Sequence, residues 1–194
     1  MSLTPVSLLD RLNVAKPDAS EWQRLQDIYL PLIHNWLGRV PSLGEEAHDL
    51  SQEVFLVVIR ELPQFERRRE GSFRAWLRQV AVNRVRDFTK QRQRRPARAG
   101  SDQTEGFMSQ LEYSGSNLAK EWDRQHDQHV FDKLLLTIKA DFTPSTWQAF
   151  YSFAVEGQPA AQVSAELGIS ENAVLLAKSR VLKRLRDEAA GLLD

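Results

Sequence analysis

Residues 72–90 read SFRAWLRQVAVNRVRDFTK, the most regular pattern of apolar and basic residues in the chain. Its large apolar side chains recur every three or four residues, which is the spacing of an amphipathic helix with one buried face. The apolar stripe consists of Phe73, Trp76, Leu77, Val80, Ala81, Val85 and Phe88. Cations form a ridge on the other side, interrupted by Val82, and its members are Arg74, Arg78, Arg86 and Lys90. The stretch is therefore predicted to be a helix whose basic side faces solvent or an anionic partner.

The sequence on both sides of this helix shows the same periodicity. Upstream, residues 22–37 and 45–62 are predicted to form helices, and Pro31 is expected to start a new helix or to kink the first one. Downstream, helices are predicted over residues 121–140, 144–157, 159–167 and 170–190. No segment shows sustained alternation of polar and apolar residues, so no strand is expected. The predicted fold class is all-α.

Periodicity stops between residues 92 and 117, where glycine, proline and serine are scattered among polar residues. This composition is typical of a flexible linker. The chain is therefore predicted to form two small helical domains, one over residues 1–95 and one over residues 121–194. A flexible linker over residues 96–120 would join them.

The net charge of zero conceals a segregation of charge along the chain. Residues 60–98 carry 13 basic and 4 acidic side chains, a net charge of +9. The flanking residues 1–59 and 99–133 each carry a net charge of −4, and residues 178–194 carry +2. A segregated basic block is what binding to a polyanion requires, so nucleic acid is a candidate partner.

The composition also argues against several classes of protein. The chain has no cysteine, and therefore no disulfide or thiolate zinc site. Its first residues lack the basic start and apolar run of a signal peptide, and its longest uncharged stretch, residues 142–155, is too short and polar to span a bilayer. We therefore expect a cytoplasmic protein without membrane insertion and without a cofactor.

Two further motifs flank the basic helix. Residues 163–174 have the spacing of a helix-turn-helix, in which Gly168 makes the turn and Val174 closes the core. The helix that follows is basic, which suits a recognition helix lying along phosphates, and it carries Lys178, Arg180, Lys183, Arg184 and Arg186. On the second predicted helix, one exposed face is acidic, so it is either solvated or contacts a protein rather than DNA.

In combination, these motifs resemble a known family. Residues 49–55 (DLSQEVF), 71–77 (GSFRAWL) and 83–87 (NRVRD) resemble conserved region 2 of sigma-70 family RNA polymerase sigma factors, and residues 158–186 resemble their region 4. The resemblance covers roughly residues 20–95 and 125–190. No third domain fits between the two parts, which is typical of the extracytoplasmic-function subgroup.

The resemblance implies a role for each motif in promoter recognition and transcription initiation. The acidic face would dock on core RNA polymerase, at the clamp helices of the largest subunit, through Asp49, Gln52, Glu53 and Leu56. The basic helix would lie near the −10 element of promoter DNA and its melted non-template strand, through Arg74, Asn83, Arg84, Arg86 and Asp87. The last helix would contact the −35 element through Ser170, Glu171, Asn172, Leu175, Leu176, Lys178, Ser179, Arg180, Lys183 and Arg184.

Leu175 and Leu176 depart from the family, since many members have polar or basic residues there. Leucine can touch a thymine methyl group but makes no hydrogen bond to a base edge. An anti-sigma protein, a common regulator in the family, is a further candidate partner.

Two other functions fit parts of the sequence. A two-domain helix-turn-helix transcriptional regulator would bind DNA without docking on polymerase as a sigma subunit. A metal-dependent hydrolase would use His126 and His129, one helical turn apart, with the cluster Glu45, Glu46, His48 and Asp49. Neither a nucleophile nor a phosphate-binding loop accompanies these side chains, so no catalytic residue and no metal ligand is assigned.

Overall fold

The computed structural model describes residues 7–13, 18–41, 43–66, 72–93 and 101–193. Within these ranges the chain forms nine α-helices and no strand, which confirms the predicted all-α fold. The helices are α1 (Leu8–Leu12), α2 (Ala19–Leu37), α3 (Glu46–Glu61), α4 (Ser72–Gln93), α5 (Ser101–Glu112), α6 (Asn117–Ile138), α7 (Pro144–Phe150), α8 (Ala160–Leu167) and α9 (Glu171–Ala189). In the part of the chain that is described, no helix is both long and apolar enough to cross a membrane.

Contacts divide the chain into two units. Among the described residues, the amino-terminal unit consists of those between 8 and 130 together with 191–193, and the carboxyl-terminal unit consists of residues 7 and 131–190. The division falls inside α6, between Val130 and Phe131, and not within residues 96–120.

Helices α2, α3 and α4 bury most of the apolar stripes that the sequence predicts, and Trp76 and Phe88 of α4 are only partly buried. Tyr29 of α2 is fully buried, and its ring centroid lies 5.3 Å from that of Phe73 in α4. Pro31 lies inside α2, which continues from Ala19 to Leu37, so the predicted new helix does not start there. Buried side chains before and after the proline, including Tyr29 and Ile33, hold both halves of α2 against the core.

Helix α5 occupies residues that the sequence predicts to be a flexible linker. Residues 96–100 of that linker lie outside the described residues, but residues 101–112 are helical. The buried side chains of α5 are Thr104, Met108 and Leu111. They recur at helical spacing and form one face. The structure differs from the prediction because Gly106 and Ser109, which suggested a linker, lie on the exposed side of the helix.

In the carboxyl-terminal unit, α8 and α9 form the helix-turn-helix that the spacing predicts. Gly168 ends α8 with a φ of +64°, a conformation that glycine adopts without steric cost. Ser170 caps α9, because its hydroxyl oxygen accepts a hydrogen bond of 3.1 Å from the amide of Ala173. The small core beneath the turn contains Ala149, Val163, Val174 and Ala177. Helix α7 precedes this motif and continues as a π-helical turn, Tyr151–Val155.

The packing of α5 predicts the effect of truncating Leu111. Leu111→Ala should reduce the free energy of unfolding by about 2–5 kcal/mol, because the side chain is 3% exposed and its removal leaves a cavity. Urea unfolding monitored by circular dichroism measures the change. Gln103→Ala, at an exposed position of α5, is the matched control and should shift stability by less than about 0.5 kcal/mol. Equal, small effects of the two variants would mean that α5 does not pack.

Candidate polymerase and nucleic-acid interfaces

The exposed face of α3 carries three of the four side chains predicted to dock on polymerase. Asp49 and Gln52 are exposed, and Leu56 is 63% exposed. Within the described residues, neither Asp49 nor Gln52 forms a side-chain hydrogen bond or ion pair. A large exposed apolar side chain beside an unneutralised carboxylate is a surface suited to a protein partner.

Glu53, the fourth predicted docking residue, is already engaged within the unit. Its Oε2 accepts a hydrogen bond of 2.9 Å from Nε of Arg84, and Nη2 of Arg84 contacts the same oxygen. Arg84 belongs to the residues predicted to lie near the −10 element. The structure therefore joins one predicted polymerase residue to one predicted DNA residue.

A groove of about 510 Å³ runs between α3 and α4. Its lining consists of Glu53, Leu56, Val57, Arg60, Glu61, Val80, Asn83, Arg84 and Asp87. Asn83 and Asp87 are exposed there, and Oδ1 of Asn83 accepts a hydrogen bond of 2.9 Å from Gln79. The groove thus brings together side chains that the sequence assigns to two different partners.

Each of the five arginines of α4 forms an ion pair within the amino-terminal unit. The pairs are Arg74 with Asp123 and Asp127, Arg78 with Asp123, Arg84 with Glu53, Arg86 with Glu105 and Glu112, and Arg92 with Glu46. Lys90 is exposed and has no ion-pair partner among the residues described. The acids come from α3, α5 and α6, so the acidic segments that flank the basic block in the sequence contribute to its neutralisation in the fold.

Arg78 shows that the ridge is not the open surface that the sequence predicts. Its side chain is buried, with the residue only 6% exposed, because α6 packs beside it. Nη1 donates hydrogen bonds to Oδ1 of Asp123 at 2.9 Å and to the carbonyl of Ala119 at 3.4 Å. The prediction of a basic side facing solvent is therefore wrong at Arg78, because this guanidinium is buried and hydrogen-bonded inside the unit.

Arg86 is held by two carboxylates of α5. Nη2 lies 2.7 Å from Oε1 of Glu105, and Nη1 lies 2.8 Å from Oε2 of Glu112. The hydrogen bonds raise the pKa of the Arg86 guanidinium and lower the pKa of both carboxyl groups, since each bond favours the charged forms. Gln79 also donates to Glu112, at 3.0 Å, which lowers the pKa of that carboxyl further.

Arg74 connects to the core through a buried histidine. It donates to Oδ2 of Asp127 at 2.8 Å, and Oδ1 of Asp127 lies 3.0 Å from Nδ1 of His126. Since an ionised carboxylate only accepts, Nδ1 of His126 carries the hydrogen and Nε2 accepts from the Tyr29 hydroxyl at 3.3 Å. Burial lowers the pKa of His126 and raises the pKa of Tyr29 well above its usual value, so both side chains are neutral.

The histidines proposed for a hydrolase thus have other partners. His126 is fully buried in this network, and Nε2 of His129 donates to the carbonyl of Ile28 at 2.6 Å. His48 packs against His34, with ring centroids 5.4 Å apart. In the described ranges, no group of three or more histidine, aspartate or glutamate side chains is arranged to hold a metal ion.

The start of α9 presents most of the side chains predicted for the −35 element. The exposed ones are Ser170, Glu171, Asn172, Leu175, Leu176, Lys178, Ser179, Arg180 and Lys183. Leu175 and Leu176 are 49% and 47% exposed, and the ammonium of Lys178 lies 5.2 Å from the ring centre of Phe153. Arg180 and Lys183 form no ion pair with any described residue, so both remain available to a phosphate.

Arg184 differs from these neighbours. Its Nε lies 2.8 Å from Oδ2 of Asp141, and its Nη1 lies 2.8 Å from Oε2 of Glu188. Burial opposes the charged form, but the two carboxylates raise the pKa of Arg184 nonetheless. The guanidinium therefore ties α9 to the turn before α7, in addition to its predicted role at a phosphate.

Sequence reasoning missed Glu105 and Glu112 as partners of the basic helix. The signal was present, because Glu105, Ser109 and Glu112 are spaced four and three residues apart and so share one face of a helix. The glycines around them favoured a linker instead.

The chain is similar in sequence to known proteins. Residues 25–95 match the family model described as sigma-70 region 2. The chain is also 28% identical over 160 residues to the RNA polymerase sigma factor CarQ of Myxococcus xanthus, an alignment that covers 82% of this chain and 83% of that protein. These matches support a role as a sigma factor in transcription initiation. The matches confirm the predicted resemblance to sigma-70 family sigma factors.

Substitutions of a buried and of an exposed cation of α4 should affect stability to different extents. Arg78→Ala should reduce the free energy of unfolding by about 1–3 kcal/mol, because it leaves Asp123 and the carbonyl of Ala119 without a buried donor. Lys90→Ala, at the exposed end of the same helix, should change it by less than about 0.5 kcal/mol. Urea unfolding of the two variants checks this. A harmless Arg78→Ala would mean that the side chain is solvated after all.

Proposed function

We propose that this chain is a sigma subunit that binds core RNA polymerase and directs promoter recognition. The observation that carries the proposal is the groove between α3 and α4. An exposed docking face and a basic helix meet there, inside the segment that matches sigma-70 region 2. The name of the relative, an RNA polymerase sigma factor, supports the same role.

The polymerase face would consist of Asp49, Gln52 and Leu56. Asp49 and Gln52 make no side-chain bond within the described chain, so polymerase binding would break none there. Burial of Leu56, which is 63% exposed, would supply apolar contact at the centre of the interface. Glu53 would add a contact only at the edge, because it also holds Arg84.

The DNA contacts would be divided between two helices. Helix α9 would lie on duplex DNA at the −35 element, with Arg180 and Lys183 on the phosphate backbone and Leu175 and Leu176 against thymine methyl groups. Helix α4 would serve the −10 element after melting, because Asn83 supplies an amide for an unstacked base and Arg86 a cation for the backbone. Residues 1–95 would then serve polymerase and the −10 element, and residues 121–194 the −35 element.

The alternative is a helix-turn-helix regulator that never docks on polymerase as a sigma subunit. Such a regulator would have no partner for the exposed face of α3. Sigma factors are not enzymes, so we assign the chemistry of transcription to the polymerase and expect the chain to act in the cytoplasm. Co-purification with core polymerase separates the two functions, since only a sigma subunit would remain bound.

Polymerase docking predicts the effect of changing α3. An Asp49→Lys, Leu56→Ala variant should bind core polymerase at least about tenfold more weakly, because it reverses a charge and removes an apolar contact. Its stability should stay within about 0.5 kcal/mol per substitution, as both side chains are exposed. Binding is measured by competition against an unchanged labelled chain.

The matched control for docking makes the same chemical changes elsewhere. Asp27→Lys, Leu136→Ala alters one exposed carboxylate and one leucine that is 69% exposed, and it should bind core polymerase normally. If the α3 variant also binds normally while folded, the docking face has been assigned to the wrong helix.

Two adjacent cations of α9 predict separable effects. Lys183→Ala should lower affinity for promoter DNA of any sequence and reduce the dependence of binding on salt by roughly one unit, as the loss of one phosphate contact does. Arg184→Ala should in addition lower the thermal stability of the chain, since it breaks the pairs with Asp141 and Glu188. DNA binding at several salt concentrations, together with thermal unfolding, checks both effects. A Lys183→Ala variant with an unchanged salt dependence would contradict the placement of α9 on DNA.

A further inference from the structure

Helix α5 lies against α4 with its acidic side over Arg86. Its apolar side is fixed by the buried Met108 and Leu111, and the hydroxyl of Thr104 donates a hydrogen bond of 2.6 Å to the carbonyl of Pro41. These contacts set α5 so that Glu105 and Glu112 meet the same guanidinium.

The guanidinium of Arg86 has each of its three nitrogens engaged by α5. Nε lies 3.0 Å from Oε1 of Glu105, Nη1 lies 2.8 Å from Glu112, and Nη2 lies 2.7 Å from Glu105 and 3.4 Å from Oγ of Ser109. A phosphate that approached Arg86 would have to replace carboxylates that already satisfy these donors. It would also meet the negative charge of Glu105 and Glu112.

We infer that α5 is an acidic cover, built into the chain, which competes with nucleic acid for Arg86 and is displaced when a DNA strand binds. The inference rests on the proposed function of α4. It adds a state of the free chain in which α5 covers Arg86 of the strand-binding helix, and it assigns α5 a regulatory role.

The cover is made so that it can open. Glu105 and Glu112 have side chains that are 56% and 40% exposed, and ion pairs at such positions contribute little to stability one by one. Few side chains hold α5 by burial, and these are Thr104, Met108 and Leu111. A strand carrying many phosphates can therefore compete with these carboxylates for Arg86.

The test compares two double variants of the full chain that change the net charge equally. Glu105→Gln, Glu112→Gln removes the acids of the cover, and Asp27→Asn, Glu45→Gln removes two exposed acids of the same unit that do not contact α4. Affinity for a fluorescent single-stranded oligodeoxynucleotide of mixed sequence is measured by anisotropy. The cover variant should bind roughly three- to tenfold more tightly than the control variant.

Two further variants make the result specific to the cover. Arg86→Ala, added to the cover variant, should abolish the gain, because the uncovered cation is then absent. Leu111→Ala loosens α5 from its apolar side without changing any charge, so it should also raise the affinity, measured at a temperature where the chain remains folded. A cover variant that binds no better than the control, or a gain that persists without Arg86, would overturn the inference.

Failure of the proposed function gives a different result. If Arg86→Ala in complex with core polymerase exposes promoter thymines to permanganate as the unchanged chain does, Arg86 has no part in strand capture. If that variant fails to open the promoter but the two double variants bind single-stranded DNA equally, the function of α4 stands and the cover does not exist.

Discussion

Helix α4 must bury an apolar stripe and accommodate five guanidinium groups at the same time, and the amino-terminal unit is organised by this constraint. A guanidinium that loses water must be paired and hydrogen-bonded, because an isolated buried charge costs several kcal/mol. Arg78 is buried, so α6 has to place Asp123 and the carbonyl of Ala119 beside it. Acidic side chains of α5 and α6 are therefore needed by the fold itself, because they pair with the arginines of α4.

The sequence predicts those parts of the structure that follow from local patterns, and it does not predict contacts between distant residues. The apolar periodicity gave α4, the helix-turn-helix and the all-α class, because burial of one helix face is a local property of the sequence. The periodicity did not predict α5. Its Gly106 and Ser109 lie on the exposed side and suggest a linker, and tertiary packing stabilises the helix. The same periodicity predicts the exposed face of α3, which carries Asp49, Gln52 and Leu56, because positions opposite a buried stripe are exposed. Its fourth member, Glu53, pairs with Arg84, and a contact across 31 positions has no local signal.

Charge segregation along a sequence indicates which segments attract each other as well as which partner they bind. The charge of residues 60–98 predicts attraction to nucleic acid, yet the arginines of α4 within this block lie against acids of α3, α5 and α6. The cations of α9 follow the other pattern, since Arg180 and Lys183 have no ion-pair partner in the described part of the chain. The two positive segments thus start from different states. In the proposed function, α4 would exchange internal partners for phosphates, whereas α9 would bind phosphates directly.

Because of the buried His126, the stabilities of the two units depend differently on pH. Burial lowers the pKa of His126 below its ordinary value of 6.5, against the opposing pull of Asp127 and Asp123, and Arg74 lowers it further. In the unfolded chain, His126 binds a proton near pH 6.5, whereas in the folded chain it does so only at lower pH. The free energy of unfolding therefore falls as the pH drops below 6.5. All four histidines lie between residues 34 and 129, and residues 131–190 contain none. Mild acidification, before the carboxylates titrate, therefore destabilises the amino-terminal unit through its histidine and leaves the helix-turn-helix without a comparable response.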